Sequence, residues 1–302
     1  RAGGRYYPKL LAAVPFTPAT GPRLLVREGL DKVLVQRQLA AGLIGAAEHL
    51  KIATISVNFL PEDEWDLLDD ADYLKRADQQ YHWYNRDYGS FDDFLDDLSS
   101  RKRKNIRKER RGALASGVEI EWLSGSDIRE EHWDAFYKFY MDTGSRKWGQ
   151  PYLNREFFSL ITESMADRIL LILCRRQDRY IAGALNLIGE EALFGRYWGC
   201  IEDHPFLHFE VCYYQAIDYA IQHGLSRVEA GAQGPHKIAR GYRPTQTHSA
   251  HYIRDPGFRE AVANYLEHER AEVGHDIEYL SERGPFRKGE RQDSAPRFVS
   301  TS

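Results

Sequence analysis

Ile169-Leu170-Leu171-Ile172-Leu173-Cys174, then Tyr180-Ile181-Ala182-Gly183-Ala184-Leu185-Asn186-Leu187-Ile188, then Ala192-Leu193-Phe194-Gly195-Arg196-Tyr197-Trp198-Gly199 decide the fold. Only the polar turns Arg175 to Arg179 and Gly189-Glu190-Glu191 separate these apolar runs. Runs this short, bounded by turn residues, read as strands. Connections this short make neighbouring strands antiparallel. Downstream, Phe209 to His223 reads as a helix ending at Gly224, a left-handed cap position, and Arg227-Val228-Glu229-Ala230 as the next strand. A loop from Gly231 to Pro244 leads to a strand at Ser249–Arg254 and a last helix around Phe258–Tyr279. Upstream lie a strand, Val118 to Trp122, and helices around Trp133–Tyr140 and Arg155–Met165. The order predicts a mixed α/β (α+β) fold with central antiparallel hairpins and a late crossover helix. It is not the alternating order of a doubly wound nucleotide fold.

The first hundred residues are less regular. Asp31 to Leu50 has the period of an amphipathic helix, and the β-branched stretch Ile52 to Phe59 reads as a strand. Pro61 to Asp72 opens with acids suited to a helix first turn. Tyr81 to Tyr84 reads as a strand, and Ser90 as the N-cap of a helix carrying Asp92 and Asp93.

The chain has 302 residues, 42% hydrophobic and 28% charged, enough for a large core or two domains. No apolar stretch approaches the ~20 residues of a membrane helix. The net charge of −4 makes any anion site a local one. Cys174, Cys200 and Cys212 sit in apolar or aromatic contexts without a metal-binding spacing, which points to reduced thiols and a cytoplasmic location. Pro205 breaks the helical face that His204 and His208 would need as a pair, so no metal is expected. The chain opens at Arg1 without a signal-peptide pattern.

The sharpest compositional shift runs from Asp92, Asp93, Asp96 and Asp97 into Arg101 to Arg111, with eight Lys or Arg in eleven residues. On a helix, Arg103, Arg107 and Arg110 share one face and Lys104, Lys108 and Arg111 the next. Such crowding needs a counter-charge. Either a phosphate-bearing ligand or the preceding aspartates supply it.

Trp83-Tyr84-Asn85-Arg86 with Tyr88-Gly89-Ser90-Phe91, the basic run, Ile181-Ala182-Gly183-Ala184, and Glu229-Ala230-Gly231 with His236-Lys237-Ile238-Ala239-Arg240-Gly241 resemble the GNAT acyl-transferase superfamily. They resemble most closely its peptidoglycan-bridge branch, the FemABX-like proteins. The resemblance implies two tandem GNAT-like domains, expected at 1–112 and 113–285, the first incomplete, with a flexible tail at 286–302. It also implies an acyl or aminoacyl transfer from an activated donor to an amine, on an acceptor such as a cell-wall precursor.

Lys237 lies in a Gly-bounded loop directly after a strand, where its ammonium could face the cleft. In acyl transfer a preorganised cation lowers the barrier of the tetrahedral oxyanion. The related enzymes carry a lysine in this loop, and Lys237 is the matching position. Glu229 is the candidate general base, with Asp142, Glu210 and His236 as alternatives. Arg103, Arg107 and Arg240 are candidates for holding phosphate or carboxylate, and Tyr197 and Trp198 for acyl or acceptor contact.

Acyl-CoA enzymes cradle the pyrophosphate on a Gly-rich turn at a helix N-terminus. Here the corresponding turn, Gly199 to His208, has one glycine, a proline and two acids. This favours a donor held differently, such as an aminoacyl-tRNA or a carrier-bound acyl group, with acyl-CoA as the other candidate donor and no tightly bound cofactor. The rival expectation is a non-catalytic module of the same fold that reads an anionic precursor or RNA. A reader of RNA alone should be more broadly basic than this chain is.

Overall fold

The computed structural model describes residues 7–147 and 151–287. The chain begins β1 (Lys9–Ala12), α1 (Lys32–His49), β2 (Thr54–Leu60), α2 (Glu62–Asp70) and β3 (Leu74–Tyr84). It continues α3 (Phe91–Asp96), α4 (Ser100–Leu114), β4 (Glu119–Leu123), α5 (Glu130–Lys147) and α6 (Arg155–Met165). The hairpins follow as β5 (Ile169–Arg176), β6 (Arg179–Ile188) and β7 (Ala192–Cys200). Next come α7 (Leu207–Phe209), a π-helical turn (Glu210–Tyr214), α8 (Gln215–Gln222) and β8 (Arg227–Glu229). A 3₁₀ segment (Pro235–Arg240), β9 (Arg243–Ile253) and α9 (Pro256–Ser281) follow.

Contacts divide the chain into two units. The first holds the residues up to Gln80 together with Pro244–Glu282. In it β1 pairs β2 in parallel and β2 pairs β9 antiparallel. Ile55, Val57 and Leu60 of the sheet bury against Ala40 of α1 and Trp65 and Leu68 of α2. The buried Glu64 carboxylate accepts from the backbone N–H groups of Arg23 (2.8 Å) and Leu24 (3.2 Å), fixing the loop before α1. Asp31 caps α1 by accepting from the Leu34 N–H.

The second unit runs from Tyr81 to Arg243 and takes up the chain again after Glu282. Here β4, β5, β6 and β7 form an antiparallel meander, as the three apolar runs predict. After the crossover helix, β8 lies parallel to β7, and the end of β3 pairs β8 antiparallel. Trp133, Phe136 and Phe139 of α5 and Phe158 of α6 bury against Leu171, Leu173 and Leu185. Truncating one of these rings to alanine costs about 3–5 kcal/mol. The expected caps are present: Ser90 accepts from the Asp93 N–H, and Gly224 takes a φ of +65° after α8.

The pairing of β7 with β8 stops at Phe194↔Glu229, yet β7 runs on to Cys200. β8 ends at Glu229 while β7 continues past Phe194, and the site described below gathers where β8 stops.

Three expectations differ from the structure. β3 begins at Leu74 rather than Tyr81, and β9 at Arg243 rather than Ser249. Both early stretches are polar and lack alternation, because backbone pairing in the sheet holds them, not an apolar face. The contact units divide at 80/81 and 243/244, not at residue 112. The basic helix sits wholly in the second unit, where Arg110 reaches Glu210 and Asp218, while α9 belongs to the first, where Arg76 pairs with Glu269. Of the expected tail at 286–302, Phe286 bridges Leu98 and lies under the guanidinium groups of Arg86 and Arg243. Residues from 288 lie outside the described residues.

Candidate functional site

At the end of β8 the Ala230 N–H donates to the Tyr81 carbonyl, and the Tyr81 N–H to the Gly231 carbonyl, each at 3.0 Å. The chain then leaves the sheet and closes into the Pro235–Arg240 turn between Gly234 (φ +95°) and Gly241 (φ +93°). A Cβ on Gly241 would lie 2.5 Å from the Phe94 ring, so both its φ and its packing require glycine.

This turn carries Lys237 inward, where 4% of it is exposed. Its ammonium donates to the carbonyls of Ala230 (2.5 Å) and Gly231 (3.3 Å) and stands 5.5 Å from the Tyr81 ring and 6.0 Å from the Tyr213 ring. Among the described residues no carboxylate pairs with it. An ammonium has three protons to donate, and these carbonyls take two of them. Burial pulls its pKa down to about 8, still mostly charged at neutral pH.

The neighbouring His236 is exposed but fixed in orientation. Its Nε2 lies 3.0 Å from the Tyr213 hydroxyl, its ring 5.5 Å from Phe209, and it folds back over Gly234. Partial burial, with Arg240 and Lys237 alongside, lowers its pKa and favours the neutral imidazole. His208 and Trp198 extend this wall, their ring centroids 5.4 Å apart. Tyr197 and Trp198 therefore part company. Trp198 joins the wall, whereas the Tyr197 hydroxyl lies 2.6 Å from that of Tyr152 and its ring meets Tyr140 edge-on.

Glu229 is buried and accepts from the Arg227 Nε at 2.9 Å. Directly across the ladder, His82 places Nε2 at 3.8 Å from the same carboxylate. Burial, then Arg227 and Lys237, push the His82 pKa down to about 3, so this imidazole is neutral. Glu229 is thus engaged by a guanidinium within the sheet.

Three cations of α4, Arg103, Arg107 and Arg110, are answered from inside the protein. Arg103 pairs with Asp96, and Arg107 with Asp92 at 2.8 Å. Arg110 reaches Glu210 (3.0 Å) and Asp218 (2.6 Å) and covers the Phe91 ring at 4.2 Å. Burial raises the pKa of both acids, and Arg110 opposes the rise. Arg240 is held by Glu109 through Nε (3.1 Å) and Nη2 (2.9 Å), donates to the His236 carbonyl and stacks 3.5 Å above Phe209. Tyr214 donates to the same Glu109. The π-helical turn supplies Glu210, Tyr213 and Tyr214 to these contacts, and π-turns gather at functional sites. Its wider pitch leaves no mark in an apolar period of 3.6, so the sequence gives no sign of it. Tyr81, His82 and Tyr213 were likewise missed, because an isolated aromatic or histidine on a strand or helix reads as core. In the Gly199–His208 turn Glu202 is also neutralised, meeting Arg179, Arg176 (3.5 Å) and His204 (3.1 Å). Among the described residues, no group of three or more His, Cys, Asp or Glu is placed to hold a metal.

A mixed sheet in which an antiparallel meander is followed by a crossover helix and a parallel strand is a GNAT-like fold. Solved structures share it. FemX is 15% identical with a TM-score of 0.55, covering 83% of this chain and 85% of its own. L-PGS from Bacillus licheniformis is 10% identical with a TM-score of 0.55, over 76% and 78%. The C-terminal domain of a putative lysylphosphatidylglycerol synthetase from Agrobacterium fabrum is 12% identical with a TM-score of 0.53, over 76% and 77%. No curated protein sequence matches. The FemAB-like family, described as peptidoglycan biosynthesis/recognition, matches residues 1–288, and the chain belongs to that family.

Proposed function

We propose that the chain transfers an acyl or aminoacyl group from an activated donor to an amine, forming an amide on a cell-wall precursor. The observation that carries this is Lys237, a buried ammonium anchored on two backbone carbonyls with no carboxylate paired to it among the described residues. The acceptor nitrogen attacks the donor carbonyl carbon and the carbonyl oxygen gains negative charge. Lys237 donates to that oxygen, a contribution worth about 3–4 kcal/mol for a comparable single donor. The C–O or C–S bond to the donor then breaks, and the amine proton leaves to a base. His236 fits that role better than Glu229, because its imidazole is exposed, oriented by Tyr213 and biased to the neutral form.

Aminoacyl-tRNA fits the donor side better than acyl-CoA. The acids of the Gly199–His208 turn count for less than their number, since Glu202 is neutralised and only Asp203 lacks an ion pair among the described residues. What counts against a pyrophosphate cradle is the scarcity of glycine, which would let backbone N–H groups approach phosphate. Calorimetric titration with acetyl-CoA, a long-chain acyl-CoA and an aminoacyl-tRNA pool, followed by turnover assays of wild type and Lys237→Ala, tests the reading. Saturable tRNA binding retained in Lys237→Ala with turnover lost supports it. Saturable CoA binding moves the donor to a thioester. Binding without turnover in wild type would leave a recognition module.

A further inference from the structure

The basic run divides into two faces, and the face turned from the core is unspent. Arg103, Arg107 and Arg110 are paired with acids. Arg101, Lys104, Lys108 and Arg111 are exposed and have no ion-pair partner among the described residues. Their spacing of three, four and three residues sets them in one stripe along the outer side of α4, opposite the buried Ile106 and Ala113. At a rise of ~1.5 Å per residue the stripe is ~15 Å long.

The C-terminal end of the stripe is apolar. Leu114 is 42% exposed, Ile201 46% and Phe206 36%. Phe206 lies against Gly112, where a Cβ would come within 2.9 Å of its ring. The Ser116 hydroxyl meets His204 Nδ1 at 2.9 Å, and Arg176 donates to the Ser116 carbonyl at 3.1 Å. These contacts fix the Ile201–Phe206 turn beside the helix end. The result is a row of free cations continued by exposed aliphatic and aromatic side chains, on a chain whose net charge is −4.

From this juxtaposition we propose that the outer face of α4, with Leu114, Ile201 and Phe206, docks on the surface of an anionic lipid bilayer. Free cations draw the protein to acidic headgroups within a Debye length, and apolar side chains enter the headgroup boundary. A polynucleotide would use the cations but has no need of an exposed leucine and isoleucine beside them. The net negative charge holds the rest of the molecule off the membrane, so attachment runs through this patch alone. The inference is independent of the transfer chemistry, since no residue of the patch belongs to the Lys237 site.

Co-sedimentation of the full chain with vesicles of phosphatidylcholine alone, and of phosphatidylcholine with phosphatidylglycerol, tests it across a salt series. Wild type should partition onto the phosphatidylglycerol vesicles only, more weakly as salt rises. Each cation removed should cost about fivefold in partitioning. Lys104→Ala/Lys108→Ala should therefore bind about 25-fold more weakly, and Leu114→Ser/Phe206→Ser should lose binding that salt does not modulate. Circular dichroism of the exposed-residue variants confirms folding. The proposal fails if wild type ignores phosphatidylglycerol vesicles at low salt, or if both variants bind them as wild type does. Binding of the stripe to poly(U) without vesicle binding would equally overturn it in favour of RNA.

Discussion

The turn at Pro235–Arg240 and the helix at Ser100–Leu114 are the two cationic regions the sequence offers as sites, and folding treats them oppositely. In the turn, Lys237 goes into the protein and meets carbonyls and aromatic rings, with no carboxylate paired to it among the described residues, so its charge stays available. In the helix, the candidates Arg103 and Arg107 meet aspartates and their charge is answered. Arg240 shows the same contrast within a single turn, lying three residues from Lys237 yet clamped by Glu109. Cation density therefore says less about a site than which cations lack a carboxylate.

The contrast breaks most directly at Lys237. Replacing it with alanine should lower turnover by about 10²–10³-fold with donor affinity held, as steady-state kinetics and calorimetry would report. Turnover near wild type would end its role. Arg240→Ala should act on stability, because it strands a partly buried Glu109. We expect a loss of about 3–5 kcal/mol in denaturant unfolding, largely recovered in Arg240→Leu/Glu109→Leu. A catalytic defect without unfolding would instead return Arg240 to the substrate.

The pH dependence sharpens the comparison, because activity and stability should move in opposite directions. Lys237 has a pKa of about 8 when folded against 10.5 for a free lysine, burial being the main cause. Turnover should fall as pH rises through about 8, approaching tenfold per pH unit as the cation is lost. Between about 8 and 10.5 the unfolded chain binds the proton more tightly than the folded one, so stability should rise across that window. Lys237→Met should abolish that rise, and a wild-type stability curve identical to that of the variant would contradict the buried ammonium.

The smallest effect belongs to the helix. The partners Asp96 and Asp92 are 64% and 76% exposed, so Arg103→Ala/Arg107→Ala should cost under about 1 kcal/mol in stability. With their charges already answered, donor KM should shift less than for Lys237 variants. A large KM rise would show that ligand phosphate displaces the aspartates.

Much of the scaffold was legible in the chain. The hairpins β5 to β7, the crossover helix with its Gly224 cap, the Ser90 cap and the basic helix all follow from local signals. So did Lys237 as a candidate, from a glycine-bounded loop after a strand. The early half of β3 and the start of β9 did not, since polar strands declare themselves only through pairing with distant ones. Tyr213 and His236 meet across 23 residues, and Glu109 and Arg240 across 131, distances at which no spacing rule applies.

Periodicity, turn chemistry and caps are local, so the sequence by itself determined which segments become strands and helices and where the cations lie. Which cations remain free is a matter of partners brought from far along the chain. Glu109 captures Arg240, Asp96 and Asp92 answer Arg103 and Arg107, and Lys237 donates to carbonyls with no carboxylate paired to it among the described residues, because burial and pairing are properties of three-dimensional neighbours. Only the tertiary structure decided them.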